Sequence, residues 1–497
     1  MRRTSVVGIV WMLALALSPT ASASPLTTLR HDGVAVTRED PYLPATSDLP
    51  RVRAPRVRTP RVRTPRVRTL RVPTPRPRTP RLRTRTPGAR APRAPTSAAR
   101  APSLRAGAAR APRRTVRSEL DRMLAAAAID RTTYDARLAT YADARRLLRK
   151  LRGARRAALG AVLANLDAIA ARGALNASRL PELFETVSRN REWWARGPLL
   201  SYGRRVSFQG SPLVWQYYTG EGLQIQWLGT FGRANALWRS GTHDEDLRTL
   251  LDAALALAAQ RAGGIAFEYL FDFDGGRPPW VSGLAQGTAV QALSRAAVRL
   301  NEPRYFAAAR TALGVFRQPP PSGVRAGTAI GAHYLLYSFA PGLRVLNAFT
   351  QAVNGLHDFA LLANDVEGRA LFAAGEAELR AELPAYDTGA WSRYSLRREA
   401  DLSYHKLARD FLGNLCTRLT EAQQRTPVAP AAAPTGGVVP VPGAPPAVPA
   451  PATPAADPAP YCGAAQRWTQ YLRQAPKIAL VSTRVRGGRP GAVRFTL

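Results

Sequence analysis

Three segments gather the side chains best suited to chemistry. Trp280–Gly287, WVSGLAQG, opens a predicted helix, with Gly283 and Gly287 spaced for close backbone approach. Tyr334–Phe349 places Tyr337 ahead of a second predicted helix that begins near Leu346. Tyr386–Arg397, YDTGAWSRYSLR, is followed by Tyr404-His405 at the start of a third. Phenols, guanidiniums and an imidazole are groups that move protons and hold anions. The sequence contains no HExxH, paired CxxC, GxSxG or GxxxxGK[ST]. Its five histidines (His31, His243, His333, His357 and His405) are too scattered to suggest a metal cluster, so no metal and no cofactor is expected. Asp272, Asp274 and Glu221 are the candidates for the opposed carboxylates that a glycosidase would need.

The elements that must position these groups read as helices. Val290, Leu293, Ala297 and Leu300 lie on one face of a 3.6-residue period, as do Phe306, Ala309, Leu313 and Phe316. Leu346, Phe349, Val353, Leu356 and Ala360 repeat the pattern. Tyr404 shares such a stripe with Leu407 and Phe411, which predicts that it points inward. Ser118–Ala171, rich in Ala, Leu and Arg and broken by Gly153 and Gly160, predicts two or three long helices. Arg191–Trp238 is aromatic and punctuated by Gly and Pro, a texture of loops and short helices. No strand alternation stands out, so the expected fold is all-α, with helices of this length closing into an α/α toroid-like domain over 117–425 by analogy.

The flanking sequence is of a different kind. The chain has 497 residues, 42 prolines and a formal net charge of +37. Residues 51–117 hold 22 Arg and no Lys, Asp or Glu, in pentapeptide repeats such as RVRTP. Proline at nearly every fifth position excludes helix and like charges repel, so 24–116 is expected to be disordered and extended. The remainder is basic as well, which suits an anionic partner. The Arg/Pro tract would hold anionic wall polymers or act as a spacer, with no specific nucleic acid as partner. Residues 426–460 form a Pro/Ala-rich loop, and 461–497 a terminal helix and tail. Residues 1–23 read as a signal peptide: Arg2-Arg3, an apolar Val6–Leu17 and a small-residue site at Ala21-Ser22-Ala23. No later segment is apolar enough to span a membrane, and the chain is expected to be secreted or wall-associated. In an exported chain, Cys416 and Cys462 are expected to form a disulfide, with two free thiols as the alternative.

WxxGLAQG before a helix, then LPxYDTGxWSRY, then YH opening the next helix, resembles the C-terminal domain of D-glucuronyl C5-epimerases, here as a secreted bacterial-type member. The likeness runs from about Gln216 to Leu419. It implies an isomerase that acts on an acidic, glycosaminoglycan-like polysaccharide, with Tyr337, Tyr394 and Tyr404 as catalytic groups and Arg397 either binding the substrate carboxylate or in a salt bridge to Glu399 or Asp401. Arg393, His405, Trp280 and Gln286 complete the candidate substrate-binding set, with Trp280 and Gln286 read as structural or cleft-lining before catalytic, and a homodimer is a candidate assembly. Asp387 fits a turn-organising role in YDTG. Where heparan-acting members carry an acid before the first tyrosine, this chain has Leu336. Epimerisation removes the C5 proton and returns one to the opposite face, which requires two acid/base groups and cations on the carboxylate. A phenol with a pKa of ~10 becomes a base only beside such cations. Arg393, Arg397, Arg398 and His405 are near enough in sequence.

Four functions remain open at this point. They are a uronyl C5-epimerase, a lyase that eliminates at C4 from the same carbanion, a non-catalytic polysaccharide-binding domain and, more weakly, a glycosidase.

Overall fold

The computed structural model describes residues 24–44, 114–424 and 456–474, with the backbone alone at 479–480 and 495–496. The signal-peptide segment and nearly all of the Arg/Pro and Pro/Ala tracts lie outside the described residues.

The chain is not all-α. Five strands form one sheet: β1 Ser24–Leu29, β2 Ala35–Asp40, β3 Arg205–Phe208, β4 Ser211–Tyr218 and β5 Gly222–Ile225, in the order β2-β1-β3-β4-β5. β1 pairs in parallel with β3, and the other neighbours are antiparallel. Two expectations are thereby corrected. Residues 24–40 are sheet where disorder was expected, and 205–225 is sheet where loops and short helices were expected. β3 and β5 are four residues long and buried throughout, so they lack the alternation that marks a half-buried strand. β1 meets its neighbour β3 across almost 180 residues, which no local pattern encodes.

Helices make up most of the remainder. α1 Val116–Ala125, α2 Arg131–Lys150 and α3 Gly153–Ala171 fill the predicted helical stretch. Gly153, with φ +55°, marks the break between α2 and α3, whereas Gly160 lies inside α3. α4 Leu180–Arg196 packs on α2 and α3. α5 Trp227–Ser240 leads from the sheet to α6 Asp244–Leu255. The centre is α7 Gly283–Arg299 against α10 Leu346–Leu362, with α8 Arg304–Ala312 and the short α9 Gly314–Arg317 between them in sequence. Fifteen residues of each central helix are buried. They cross closely at glycines, as the sequence suggested: a Cβ on Gly355 would strike the Gly287 carbonyl oxygen. α11 Val366–Glu382 and α12 Leu402–Gln424 pack on α10, and α13 Ala459–Tyr471 packs on α12.

Buried charges inside this bundle are paired across helices. Arg295 of α7 donates Nε to Asp358 of α10 at 2.9 Å and Nη1 to Asn235 of α5 at 2.7 Å. Arg418 of α12 pairs with the same aspartate. Burial opposes ionisation of Asp358, but Arg295 and Arg418 prevail and hold its carboxyl well below the usual range. The expected disulfide is present and joins Cys416 of α12 to Cys462 of α13. No described helix is long and apolar enough to cross a membrane.

Candidate active site

Each candidate tyrosine is fixed by the backbone around it. Trp280–Val281 pairs with Glu268–Tyr269 and runs into Ser282, whose side chain caps α7 by accepting the Ala285 amide. Tyr337 bridges to Ser282, while the Ser338 amide donates to the Val281 carbonyl at 3.0 Å. Tyr394 lies on the short strand Arg393–Ser395, paired with Arg398–Glu399, and Ser395 bridges to Val345 at the start of α10. Tyr404 sits in the first turn of α12, where its amide donates to the Asp401 carboxylate at 3.0 Å. Three sequence segments are thus tied to one end of the α7–α10 pair.

The phenols converge. The Tyr394 and Tyr404 rings lie 4.9 Å apart, centroid to centroid. Tyr337 packs edge-on against Trp280 at 5.5 Å and Phe273 at 5.9 Å, and stacks on Phe339 at 5.0 Å. Burial is the main cause that pushes the Tyr337 phenol well above its ordinary value, and Tyr394, Tyr404 and Asp274 add to it. Tyr394 is also pushed up, by burial, then by Tyr404 and Asp274, while Arg398 opposes the shift. The Arg398 guanidinium carbon lies 4.8 Å from the Tyr394 ring centroid. Two tyrosines from different segments therefore share the carboxylate of Asp274 as a neighbour.

Exposure separates the set. Tyr337 is 0% exposed and Tyr394 3%, and the Tyr394 hydroxyl is buried without a hydrogen-bond partner. Tyr404 is half-exposed and Asp274 exposed. The inward stripe expected for Tyr404 is displaced by one residue. The buried line of α12 is His405, Ala408, Leu412, Leu415 and Leu419, which leaves Tyr404 on the flank facing its partner Tyr394.

Asp274 belongs to a loop that sequence reading named only for glycosidase chemistry. Phe273 and Gly276 exchange backbone hydrogen bonds of 3.0 and 2.7 Å, and Asp274 at the tip takes φ +49°. The sheet supports this loop: Tyr218 of β4 packs on Phe271 at 4.7 Å and Phe273 at 6.0 Å. Glu221, in the β4–β5 turn, accepts the Asp272 amide and is pushed up to about 7, by burial first and then by the Asp272 carboxylate. FDFDGG carries no motif, and only the fold brings it to the tyrosines. Leu336 is 0% exposed in the apolar core, so the position ahead of Tyr337 has no place for a charged group.

The remaining candidates divide. Arg397 is exposed and has neither a hydrogen bond nor an ion pair among the described residues, so its guanidinium is available to an anion. Arg393 donates Nη1 to the Leu396 carbonyl at 3.2 Å and keeps its Nε buried and unpaired. Trp280 is a wall behind Tyr337, stacked on Tyr269 at 4.4 Å with its indole N–H on the Phe271 carbonyl. Gln286 spends its amide on backbone: it accepts from Phe267 and donates to Ile265 and Ala312. His405 is buried, stacked on Trp391 at 3.8 Å. Its Nε2–H donates to the Trp468 carbonyl at 3.0 Å, and its Nδ1 accepts the Ser392 hydroxyl at 2.7 Å, which fixes a neutral tautomer. Burial lowers its pKa and keeps it neutral. Asp387 organises its turn as expected, accepting the Gly389 amide at 2.9 Å. Among the described residues no group of His, Cys, Asp and Glu is placed to hold a metal.

Residues 262–425 match the family described as D-glucuronyl C5-epimerase C-terminus. A D-glucuronyl C5-epimerase of Caenorhabditis elegans is 34% identical over 145 residues, which cover 27% of this chain and 24% of that relative. The match thus spans about a quarter of the relative's length. The matched stretch contains the Asp274 loop, all three tyrosines and the helices that hold them. The likeness to the D-glucuronyl C5-epimerase C-terminus family therefore holds for residues 262–425, about a third of this chain.

Proposed function

We propose that this chain is a uronyl C5-epimerase of an extracellular acidic polysaccharide, working without a cofactor through Tyr404 and Asp274 as its two acid/base groups. The observation that carries this reading is the convergence of three phenols and one carboxylate, with only Tyr404 and Asp274 open to solvent. Arg397 takes the substrate carboxylate, where negative charge grows as the C5 proton leaves. Asp274 accepts that proton on one face of the ring. Tyr404 donates its phenolic proton to C5 from the other, and the C5–H bond is remade with inverted configuration. Both groups are open to solvent, so Asp274 releases its proton to water and the Tyr404 oxygen takes one from water, and the site ends as it began. Arg398, over the Tyr394 ring that packs on Tyr404, adds a cation near the transient Tyr404 phenolate. Asp274 thus does the work of an acid ahead of the first tyrosine. The signal-like start, the expected secretion and the basic Arg/Pro tract fit a wall or matrix polyanion.

The test is incubation of the full chain with glucuronans in D2O, followed by NMR at C5. Deuterium at C5 in intact chains is the expected result. Chain cleavage with a new ultraviolet-absorbing double bond would make the protein a lyase. Tight binding with no exchange on any glucuronan would make it a binding protein.

A further inference from the structure

The helix α13 lies outside the matched residues 262–425, yet it holds both ends of the segment that presents Tyr394 and Tyr404. At the far end of the YDTG turn, Asp387 accepts the Tyr471 hydroxyl at 2.9 Å and Arg467 Nε at 3.2 Å. At the near end, the Trp468 carbonyl holds His405, the residue directly after Tyr404. His405 in turn holds Ser392, two residues before Tyr394, and stacks on Trp391. Trp391 closes the ring of contacts by donating its indole N–H to the Ala400 carbonyl at 2.8 Å. On the other side of α13, Tyr461 donates to Glu376 of α11 at 2.8 Å. Cys462 ties the helix to Cys416 of α12.

The strands of the tyrosine segment cannot hold this geometry alone. Arg393–Ser395 and Arg398–Glu399 form a ladder of three and two residues, far below what makes an isolated hairpin stable. Besides the Ser395–Val345 bridge to the start of α10, side-chain and carbonyl partners that fix it are supplied from α13. Between Gln424 and Ala459 the chain is long, so with the disulfide open that linker alone would hold α13, which would meet its site at a lower effective concentration.

We infer that α13, tethered by the Cys416–Cys462 disulfide, is the positioning element for Tyr394 and Tyr404, with His405 as the residue that transmits its grip. The inference rests on the proposed epimerase reading for its kinetic consequence, but its structural part stands apart from it. Reduction of the disulfide then loosens the tyrosine pair and leaves the α7–α10 core intact.

The test compares the oxidised full chain, the Cys416→Ser/Cys462→Ser double variant, His405→Gln and His405→Asn. Gln can still reach the Trp468 carbonyl with an N–H, whereas Asn can mimic only the Nδ1 side. Amide hydrogen exchange over 386–405 is read with no substrate present, and C5 exchange is read on the same samples. The expected result is about tenfold or faster amide exchange over 386–405 in the double variant, with α7 and α10 unchanged. C5 exchange should fall about tenfold in kcat with KM within about threefold, and His405→Gln should retain more kcat than His405→Asn. Unchanged protection of 386–405 in the double variant would overturn the inference, as would equal kcat in the two His405 variants. Faster amide exchange in a protein whose wild type shows no C5 exchange would support the positioning role and defeat the epimerase reading. Should the double variant not fold, Arg467→Ala with Tyr471→Phe, which keeps the disulfide and frees Asp387, is read by the same two criteria.

Discussion

The α7–α10 pair and the 386–405 segment sit side by side and are built on opposite terms. In the helix pair nearly every residue is buried, and its charges are matched across helices: Arg295 serves Asp358 and Asn235, and Arg418 serves Asp358. In the segment, short strands leave the Tyr394 hydroxyl and Arg393 Nε buried and unpaired, and the clamps come from elsewhere in the chain. A scaffold gains from matching its buried charges, even where single amide atoms such as Asn347 Nδ2 and Asn354 Oδ1 of α10 go unpaired, while a proton-transfer site needs groups left with bonding capacity for the substrate. Stability and activity should therefore separate under mutation.

The largest effect is expected in the scaffold. Arg295→Ala strips a buried aspartate of a main partner and should cost about 3–5 kcal/mol in urea unfolding. Activity would vanish only along with the fold. Tyr404→Phe should do the reverse, lowering kcat for C5 exchange about 100- to 10,000-fold while leaving the unfolding midpoint in place. Asp274→Asn should fall in the same range with the carbonyl retained in the loop. Loss of stability in place of kcat at either position would erase the contrast. Gln286→Ala is a sharper probe, because its amide serves three backbone groups and faces none of the tyrosines. It should cost about 1–3 kcal/mol of stability and leave KM unchanged. A raised KM at constant stability would return Gln286 to the binding set.

The smallest effect is a pH dependence at the loop support. Glu221 has its carboxyl raised from 4.5 to about 7, so the folded state holds a proton that the unfolded state releases. Its contribution is fully present below pH 4.5 and is lost as pH rises through about 7. Thermal melts of wild type against Glu221→Gln should therefore differ in pH slope between those limits. Identical slopes would remove Glu221 from the account of the loop.

The helices were legible because burial on one face repeats every three to four residues, as at Val290, Leu293 and Ala297 or at Leu346, Phe349 and Val353. The grouping of Tyr394 with Tyr404 was legible through their motifs, and the disulfide through the only two cysteines of the chain. The sheet was not, because β3 and β5 are short and buried on both faces, and β1 finds its neighbour at long range. The same non-locality hid Asp274: its meaning depends on a loop carried by Phe273 against Tyr337, which spacing along the chain cannot express. His405 was read toward substrate because it follows Tyr404, but successive helix residues point about 100° apart, and it faces α13.

In the proposed reaction protons leave and return through two different groups. Initial-rate C5 exchange in D2O, resolved by NMR into residual glucuronate and newly formed iduronate, tests it directly. Two opposed groups predict deuterium in the iduronate from the first turnovers while the residual glucuronate stays protiated. Equal early labelling of both epimers would mean a single base, and no labelling of either would mean that this site does not transfer protons at C5.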